Sequence, residues 1–274
     1  MTQIGQGTSS RTVVLPSLNT QVMLSWGART DVGHRREANE DSLVALPPIF
    51  CVADGMGGHS AGDVASAAVV TRLAEHVGES SMSAEAIARS LSLAVEDMAQ
   101  GAGVTDRGTG TTATGAALGV IAGEAVWIVF NIGDSRVYQL VSGVLEQVTV
   151  DHSVVQELVD SGRITREEAD VHPQGNVITR AVGFHEAPIP DYRILNVQPG
   201  MRILVCSDGL TKELTAYGIR HFLLGNPDPG DAADALVNAA LENGGRDNVT
   251  VIVLDVVDVV TGDVTDSSVS DAAQ

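Results

Sequence analysis

Four aspartates stand where short apolar runs begin or end. Asp54 closes PIFCVAD (48–54), Asp134 closes AVWIVFNIGD (125–134), Asp208 closes MRILVCSD (201–208), and Asp247 immediately precedes NVTVIVLDV (248–256). The acidic pair Glu40-Asp41, in RREANEDS, comes shortly before the first run. Each of these residues alone reads first as a turn or cap residue. Gathered at the ends of adjacent strands they pose a problem, because a partly desolvated carboxylate without a counter-charge is costly. Taken together they lack matching basic residues nearby, so something cationic must neutralise the group, and a metal ion does so most directly. None of the motifs offers a His or Cys pair at zinc spacing, which leaves an all-oxygen site. Oxygen ligands suit hard cations, Mg²⁺ or Mn²⁺ ahead of Ca²⁺, and the contiguous loop of a calcium-binding EF-hand is absent from the sequence. Two such ions, about 3.5–4 Å apart and bridged by water, make hydroxide available near neutral pH and clamp a transferring phosphoryl group.

The stretch CVADGMGGHSAGD (51–63) sets Asp54 at the head of four glycines, a layout that invites comparison with a nucleotide phosphate cradle. The dinucleotide fingerprint fails, since glycines at positions one and three, Gly55 and Gly57, are followed by Ser60 at position six. No Lys-Ser/Thr pair marks a P-loop, and the Asp54 carboxylate would repel a pyrophosphate. These glycines instead let the backbone approach a metal, with a peptide carbonyl as ligand.

The elements that must position these groups are legible at a coarse level. The four apolar runs are rich in Val and Ile and short enough to be strands. Between them, SAEAIARSLSLAVEDMAQ places Ile87, Leu91, Val95 and Met98 on one helical face. GDVASAAVVTRLAEHV predicts a helix after the glycine loop, and DAADALVNAALENGG predicts another that stops at Gly244-Gly245. Strand runs separated by helix pairs imply stacked sheets with helices outside, not a doubly wound sheet. Residues 151–190 form a more polar insert with a helical piece, VVQELVDSG, and a capping box from Thr165 to Glu168. It is either a surface excursion or a flap over a site. Residues 1–20 read as a flexible arm and 258–274 as a disordered acidic tail.

Composition narrows the function classes. The formal net charge is −19, from 35 acidic and 16 basic residues, which argues against nucleic acid or an anionic membrane as partner. No apolar run approaches the roughly 18 residues of a membrane span, and the N-terminus lacks the layout of a signal peptide, so a cytoplasmic location is expected. The two cysteines, Cys51 and Cys206, each lie inside an apolar run and read as buried thiols.

Taken in order, RREANEDS, VADGMGGHSAGD, GTGTTATGA, NIGDSRVYQL, DHS, NVITRAVG, CSDGL and GGRDNVTVIV resemble the motifs of the metal-dependent type 2C serine/threonine protein phosphatases, most closely the bacterial branch, over residues 22–257. The resemblance implies an α+β fold: two packed antiparallel β-sheets flanked by α-helices, a four-layer αββα sandwich forming a single catalytic domain over 21–257. It implies two Mn²⁺ or Mg²⁺ ions bridged by water, with Asp54 between them, the Gly55 carbonyl on one, and Asp208 and Asp247 completing the other. Asp41 and Glu40 would act through metal-bound waters or just outside the ligands, and Asp134 with Asp208 resembles the third-metal site of bacterial members. Arg36, five residues before Asp41, matches the arginine that holds the substrate phosphate, a task suited to a planar bidentate donor. The implied reaction is hydrolysis of phosphoserine and phosphothreonine by a metal-activated water, on proteins phosphorylated by bacterial serine/threonine kinases, by a monomer. Where eukaryotic members often carry a histidine as general acid, this chain has Met56; His59 is a weak substitute. His152 and His172 read as structural or flap residues, and Arg136 and Arg180 as members of structural ion pairs. Two alternatives remain: a catalytically silent relative that binds phosphoproteins or a regulator, and a two-metal phosphoesterase of small molecules. The retained acidic residues weigh against the first and the motif order against the second.

Overall fold

The structure, a computed structural model, describes residues 1–57, 61–100, 109–169, 171–184 and 187–262. In chain order its strands are Gln3–Ile4 (β1), Gly7–Leu15 (β2), Thr20–Asp31 (β3), Asp41–Leu46 (β4), Ile49–Met56 (β5), Gly110–Thr111 (β6), Ala113–Ile121 (β7), Glu124–Ile132 (β8), Arg136–Val141 (β9), Val144–Gln147 (β10), Asp191–Asn196 (β11), Arg202–Cys206 (β12) and Val249–Thr261 (β13). The helices are Ala61–Ala74 (α1), Ala84–Gln100 (α2), Val154–Asp160 (α3), Arg166–Ala169 (α4), Asp208–Thr211 (α5), Ala216–Gly225 (α6) and Pro229–Glu242 (α7). One sheet runs β1-β4-β5-β7-β8-β11 with β6 joined to β5, and the other runs β10-β9-β12-β13-β3-β2.

Side-chain alternation, the period of two along any strand, sorts the apolar residues into layers. In β5, Phe50 and Val52 enter the core between the sheets, while Ile49, Cys51 and Ala53 face α1 and α2. In β13, Ile252, Leu254 and Val256 face the other sheet, while Val249, Val251 and Val253 pack with Leu236, Val237 and Ala240 of α7. Two sheets buried on both faces, with helices outside each, make the four-layer αββα sandwich expected of the sequence. Few aromatics are available, and they are used centrally. Phe50 meets Trp26 and Trp127 edge-on, at ring-centroid separations of 5.4 and 6.1 Å, pairs worth about 0.5–1.5 kcal/mol each beyond their buried area.

Three expectations are corrected. Residues 1–20 are not a loose arm, since β1 pairs with β4 and β2 pairs with β3. In β2 only Val13 and Leu15 are buried, so the segment lacks the apolar alternation that reveals a strand; hydrogen bonding to an existing edge supplies the order instead. The sheets are also not wholly antiparallel, because β1 lies parallel to β4. Finally, β13 continues past residue 257 to Thr261, held by its pairing with β3; the rest of the acidic tail, from 263 onward, lies outside the described residues. The insert contains α3 and α4, and the capping box forms: Thr165 N–H donates to Glu168 Oε2 (2.8 Å) and Glu168 N–H to Thr165 Oγ1 (3.2 Å).

Candidate functional site

Both sheets contribute carboxylates to one end of the sandwich. In the first sheet Asp41 and Asp54 are paired directly across β4 and β5. The alternation that sends Leu43 and Ala45, or Phe50 and Val52, into the central core also aims Asp41 and Asp54 toward the space between the sheets. Asp41 is fully buried, and its Oδ2 accepts hydrogen bonds from Ser207 Oγ (2.9 Å) and Thr250 Oγ1 (2.6 Å), both from the second sheet's side. Asp54 lies within β5, two residues before its end, and not at the terminus expected from the sequence. Its peptide N–H donates to Thr112 Oγ1 (2.9 Å) and its carbonyl accepts from Thr112 N–H (2.9 Å) and Thr111 Oγ1 (3.0 Å), so the backbone is fixed on both sides. Next to it, Gly55 has no room for a side chain: a Cβ there would lie 2.1 Å from the Gly62 carbonyl oxygen. Asp134 follows β8 in the turn before β9.

On the second sheet, Asp208 opens α5 just after β12, and Asp247 lies two residues before β13. Gly209 permits the close approach of these two elements, since a Cβ would meet the Asn248 carbonyl oxygen at 1.9 Å. Asn248 was assigned no task from the sequence, yet it ties the site together. Its Oδ1 accepts from Glu40 N–H (2.9 Å), and its Nδ2 donates to the carbonyls of Val32 (2.9 Å) and Ala38 (3.0 Å). The only sequence signal was its place beside Asp247 in GGRDNVTV.

The expectation that no basic residue balances these carboxylates is wrong. Lys212 Nζ forms ion pairs with Asp208 and, at 3.1 Å, with Asp247. Arg36 Nη2 reaches both Asp247 oxygens, at 2.7 and 2.9 Å. Burial, the largest influence on Asp247, pushes its carboxyl up, but Lys212 and Arg36 together outweigh it and hold the group below its ordinary value. The others go the opposite way. Burial, reinforced by Asp208, pushes Asp134 up to about 7. Burial also raises Asp41 to about 7 against the pull of its Thr250 and Ser207 hydrogen bonds. Asp54 is raised by burial and then by Asp41 and Asp208, and Asp208 by burial despite Lys212. Glu40 is raised as well, chiefly by burial.

A cavity of about 270 Å³ joins the set, lined by Arg36, Glu40, Asp54, Gly55, Asp134, Asp208 and Asp247, together with Met56 and Lys212. Asp41 lies behind its wall. Two residues of the insert, Asn176 and Ile178, also line this cavity; no motif in the sequence marked them. A second cavity of about 380 Å³ lies between β8, β11 and residues 148–150, away from the carboxylates. Arg136 and Arg180 make the expected ion pairs, with Asp151 (2.6 Å) and Asp191 (2.9 Å). His152 is buried, with Nδ1 accepting from Gly133 N–H (3.2 Å) and Nε2 against Asp191 (3.1 Å). His172 accepts from Gln174 N–H within the insert. His59 lies outside the described residues.

These residues fit a hard divalent cation. The donors are all oxygen, and acid outnumbers base around the cavity. Asp41 Oδ1 and Asp208 Oδ1 are buried with no hydrogen-bond partner among the described residues, a costly arrangement for a carboxylate unless a cation meets it. Among the described residues no three acidic, His or Cys side chains already converge as a ready ligand set. On the Asp208–Asp247 side the counter-charge is supplied by Lys212 and Arg36 instead.

The likeness to known proteins agrees with this geometry. A family model described as protein phosphatase 2C matches residues 34–229. The serine/threonine protein phosphatase PstP of Mycobacterium tuberculosis is 42% identical over 243 residues, covering 86% of this chain and 46% of PstP, so this chain spans about half the length of that relative. The serine/threonine phosphatase stp of Listeria monocytogenes is 35% identical over 240 residues, 83% of this chain and 94% of its own. A solved PstP catalytic domain in complex with two manganese ions superimposes with a TM-score of 0.75 at 38% identity, covering 86% of this chain and 99% of that one. By the extent of these matches and the sandwich it shares with them, this chain belongs to the protein phosphatase 2C family.

Proposed function

We propose that the chain is a divalent-metal-dependent protein phosphatase that hydrolyses phosphoserine and phosphothreonine. The observation that carries this is the convergence of carboxylates from both sheets on one cavity, with buried oxygens left unpartnered. Asp54, Asp208 and Asp247, with the Gly55 carbonyl, hold two Mn²⁺ or Mg²⁺ ions; Asp41 and Glu40 support them from behind, and Asp134 with Asp208 offers a place for a third. Bound ions of this kind supply Lewis acidity and a nucleophilic hydroxide near neutral pH. The manganese pair in the PstP catalytic domain supports the choice of ion.

Arg36 holds the substrate phosphate. It is half exposed at the cavity edge, and only Nη2 of its guanidinium is engaged with Asp247, which leaves donors free for phosphoryl oxygens. Asp41 keeps the two sheets, and so the ligands they carry, in register through Ser207 and Thr250. Met56 has no proton to give, so the leaving seryl or threonyl oxygen is protonated by water. The insert 151–190 acts as a flap, through Asn176 and Ile178 on the cavity. The chain works as a monomer in the cytoplasm on proteins phosphorylated by serine/threonine kinases. No helix among the described residues is long and apolar enough to cross a membrane.

The test is hydrolysis of p-nitrophenyl phosphate and of a phosphothreonine peptide by purified protein with added Mn²⁺. EDTA or Asp54→Asn is expected to abolish both. Activity surviving those treatments overturns the two-metal reading, and a wild type inactive with Mn²⁺ favours the silent phosphoprotein binder.

A further inference from the structure

Lys212 stands where a metal is expected. It follows Asp208 by four residues, one helical turn on, so its side chain returns over Asp208. Its backbone is fixed: the N–H donates to the Asp208 carbonyl (2.8 Å) and the carbonyl accepts from Arg246 Nη2 (3.0 Å). From that anchor the ammonium reaches Asp208 Oδ2 and Asp247 Oδ2, groups on separate elements. All three side chains are largely buried, at 29% exposure for Lys212, 14% for Asp208 and 15% for Asp247. Arg36, the other cation on Asp247, is 50% exposed and lies toward solvent.

We propose that Lys212 is a built-in counter-cation that holds Asp208 and Asp247 together in the metal-free protein and must be displaced when a divalent ion binds that pair. The inference rests on the metal-site reading above. An ammonium and a divalent ion cannot share the same carboxylate oxygens, because like charges a few ångströms apart in a partly buried site repel strongly. Displacement is sterically simple, since the fixed backbone leaves a flexible four-carbon stem free to swing. It carries an energetic cost, because the ion must replace an existing buried pair. Among the described residues no ammonium or guanidinium forms an ion pair with Asp41, Asp54 or Asp134, and Asp41 Oδ1 is unpartnered there. The two halves of the site therefore bind unequally: an ion enters the first half without displacing a protein group, and the Asp208–Asp247 half fills only at higher metal concentration. Lys212 also keeps the metal-free site from springing apart.

Calorimetric Mn²⁺ titration of the chelator-treated protein, with thermal unfolding alongside, tests this. Wild type is expected to show two classes of site. Lys212→Met, which keeps the apolar stem and removes the charge, is expected to tighten the weaker class by about tenfold. It is also expected to lower the metal-free midpoint and to enlarge the rise on adding Mn²⁺. Lys212→Arg, which keeps the charge, should stay close to wild type, and Lys212→Gln provides the same comparison if the Met variant does not fold. Unchanged or weaker Mn²⁺ binding in both neutral variants overturns the proposal. So does a raised KM for phosphopeptide at unchanged metal affinity, which would make Lys212 a substrate-holding group. A wild type that binds no Mn²⁺ rejects the metal site itself, a failure distinct from either of these.

Discussion

Asp41 has no exposure to solvent and yet carries a carboxylate, and the cost of that is met by hydroxyls from the opposite sheet. Thr250 also shares a 2.7 Å hydrogen bond with Thr30 Oγ1, so one hydroxyl serves β3, β4 and β13 together. Thr250→Val keeps the shape and removes the donor; it is expected to cost about 1.5–3 kcal/mol in urea unfolding, the range for hydrogen bonds to charged groups. Gly55→Ala tests the close approach at the end of β5. A methyl 2.1 Å from the Gly62 carbonyl forces the loop away, for an expected loss of about 1–3 kcal/mol together with weakened Mn²⁺ binding, read by calorimetry. The positions of Asp54, Asp134, Asp208 and Asp247 were legible in the sequence because each abuts an apolar run, and a run's end is visible without any tertiary information. Lys212 was not read, although its i, i+4 spacing to Asp208 was available. Its second partner, Asp247, is 35 residues further along, and only the packing of α5 against β13 brings them together. Asn248 was missed for the same reason, since its contacts at Val32 and Ala38 are more than two hundred residues distant.

At the scale of elements, two ion pairs hold the segments that carry the ligands. Glu213, after α5, accepts from Arg246 N–H (3.0 Å), Nε (2.9 Å) and Nη2 (3.2 Å), pinning the loop that delivers Asp247. Burial pushes Glu213 up, but its bonds to Arg246 outweigh it and hold the carboxyl below its ordinary 4.5. A carboxyl depressed on folding adds stability above its unfolded value and loses it as pH falls through the folded one. Wild type should therefore lose stability more steeply than Glu213→Gln as pH drops below about 4.5, in parallel urea titrations across that range. Arg202 is the second anchor. It pairs with both oxygens of Asp255 and donates to the carbonyls of Leu223, Asn226 and Pro227, fastening the end of α6 to β12 and β13. Arg202→Met leaves Asp255 and three carbonyls without their donor, and an expected loss of about 3–5 kcal/mol follows. The strands β5, β8, β12 and β13 and the helices α1, α2 and α7 were readable from periodicity, because each buries a continuous apolar face. The strand β2 was not, because an edge strand with two buried residues owes its order to β3 and not to its own pattern.

At the scale of the molecule, the site is divided between two sheets, which the chain joins at the cavity through the β3–β4 and β8–β9 connections. Asp41 and Asp54 come from one sheet, Asp208 and Asp247 adjoin strands of the other, and Asp134 lies in the turn between them, so ligand spacing depends on the core between the sheets. Phe50, fully buried between Trp26 and Trp127, sets that spacing. Phe50→Ala is expected to cost about 3–5 kcal/mol and also to weaken Mn²⁺ binding, although it touches no ligand; calorimetry on the folded fraction checks this. The layered architecture was legible because helix pairs alternate with strand runs, whereas the union of the sheets at one margin was not. That margin has a consequence of its own. β1 belongs to one sheet and β2 to the other, with only Gly5 and Gln6 between them. The segment works like the spine of a book, two pages bound by a pair of residues. A protease that nicked the chain there would release β1 and bare the edge of β4, while β2 stays joined to and paired with β3, and unpaired strand edges recruit other chains. Clipped protein should therefore self-associate while uncut protein stays dispersed.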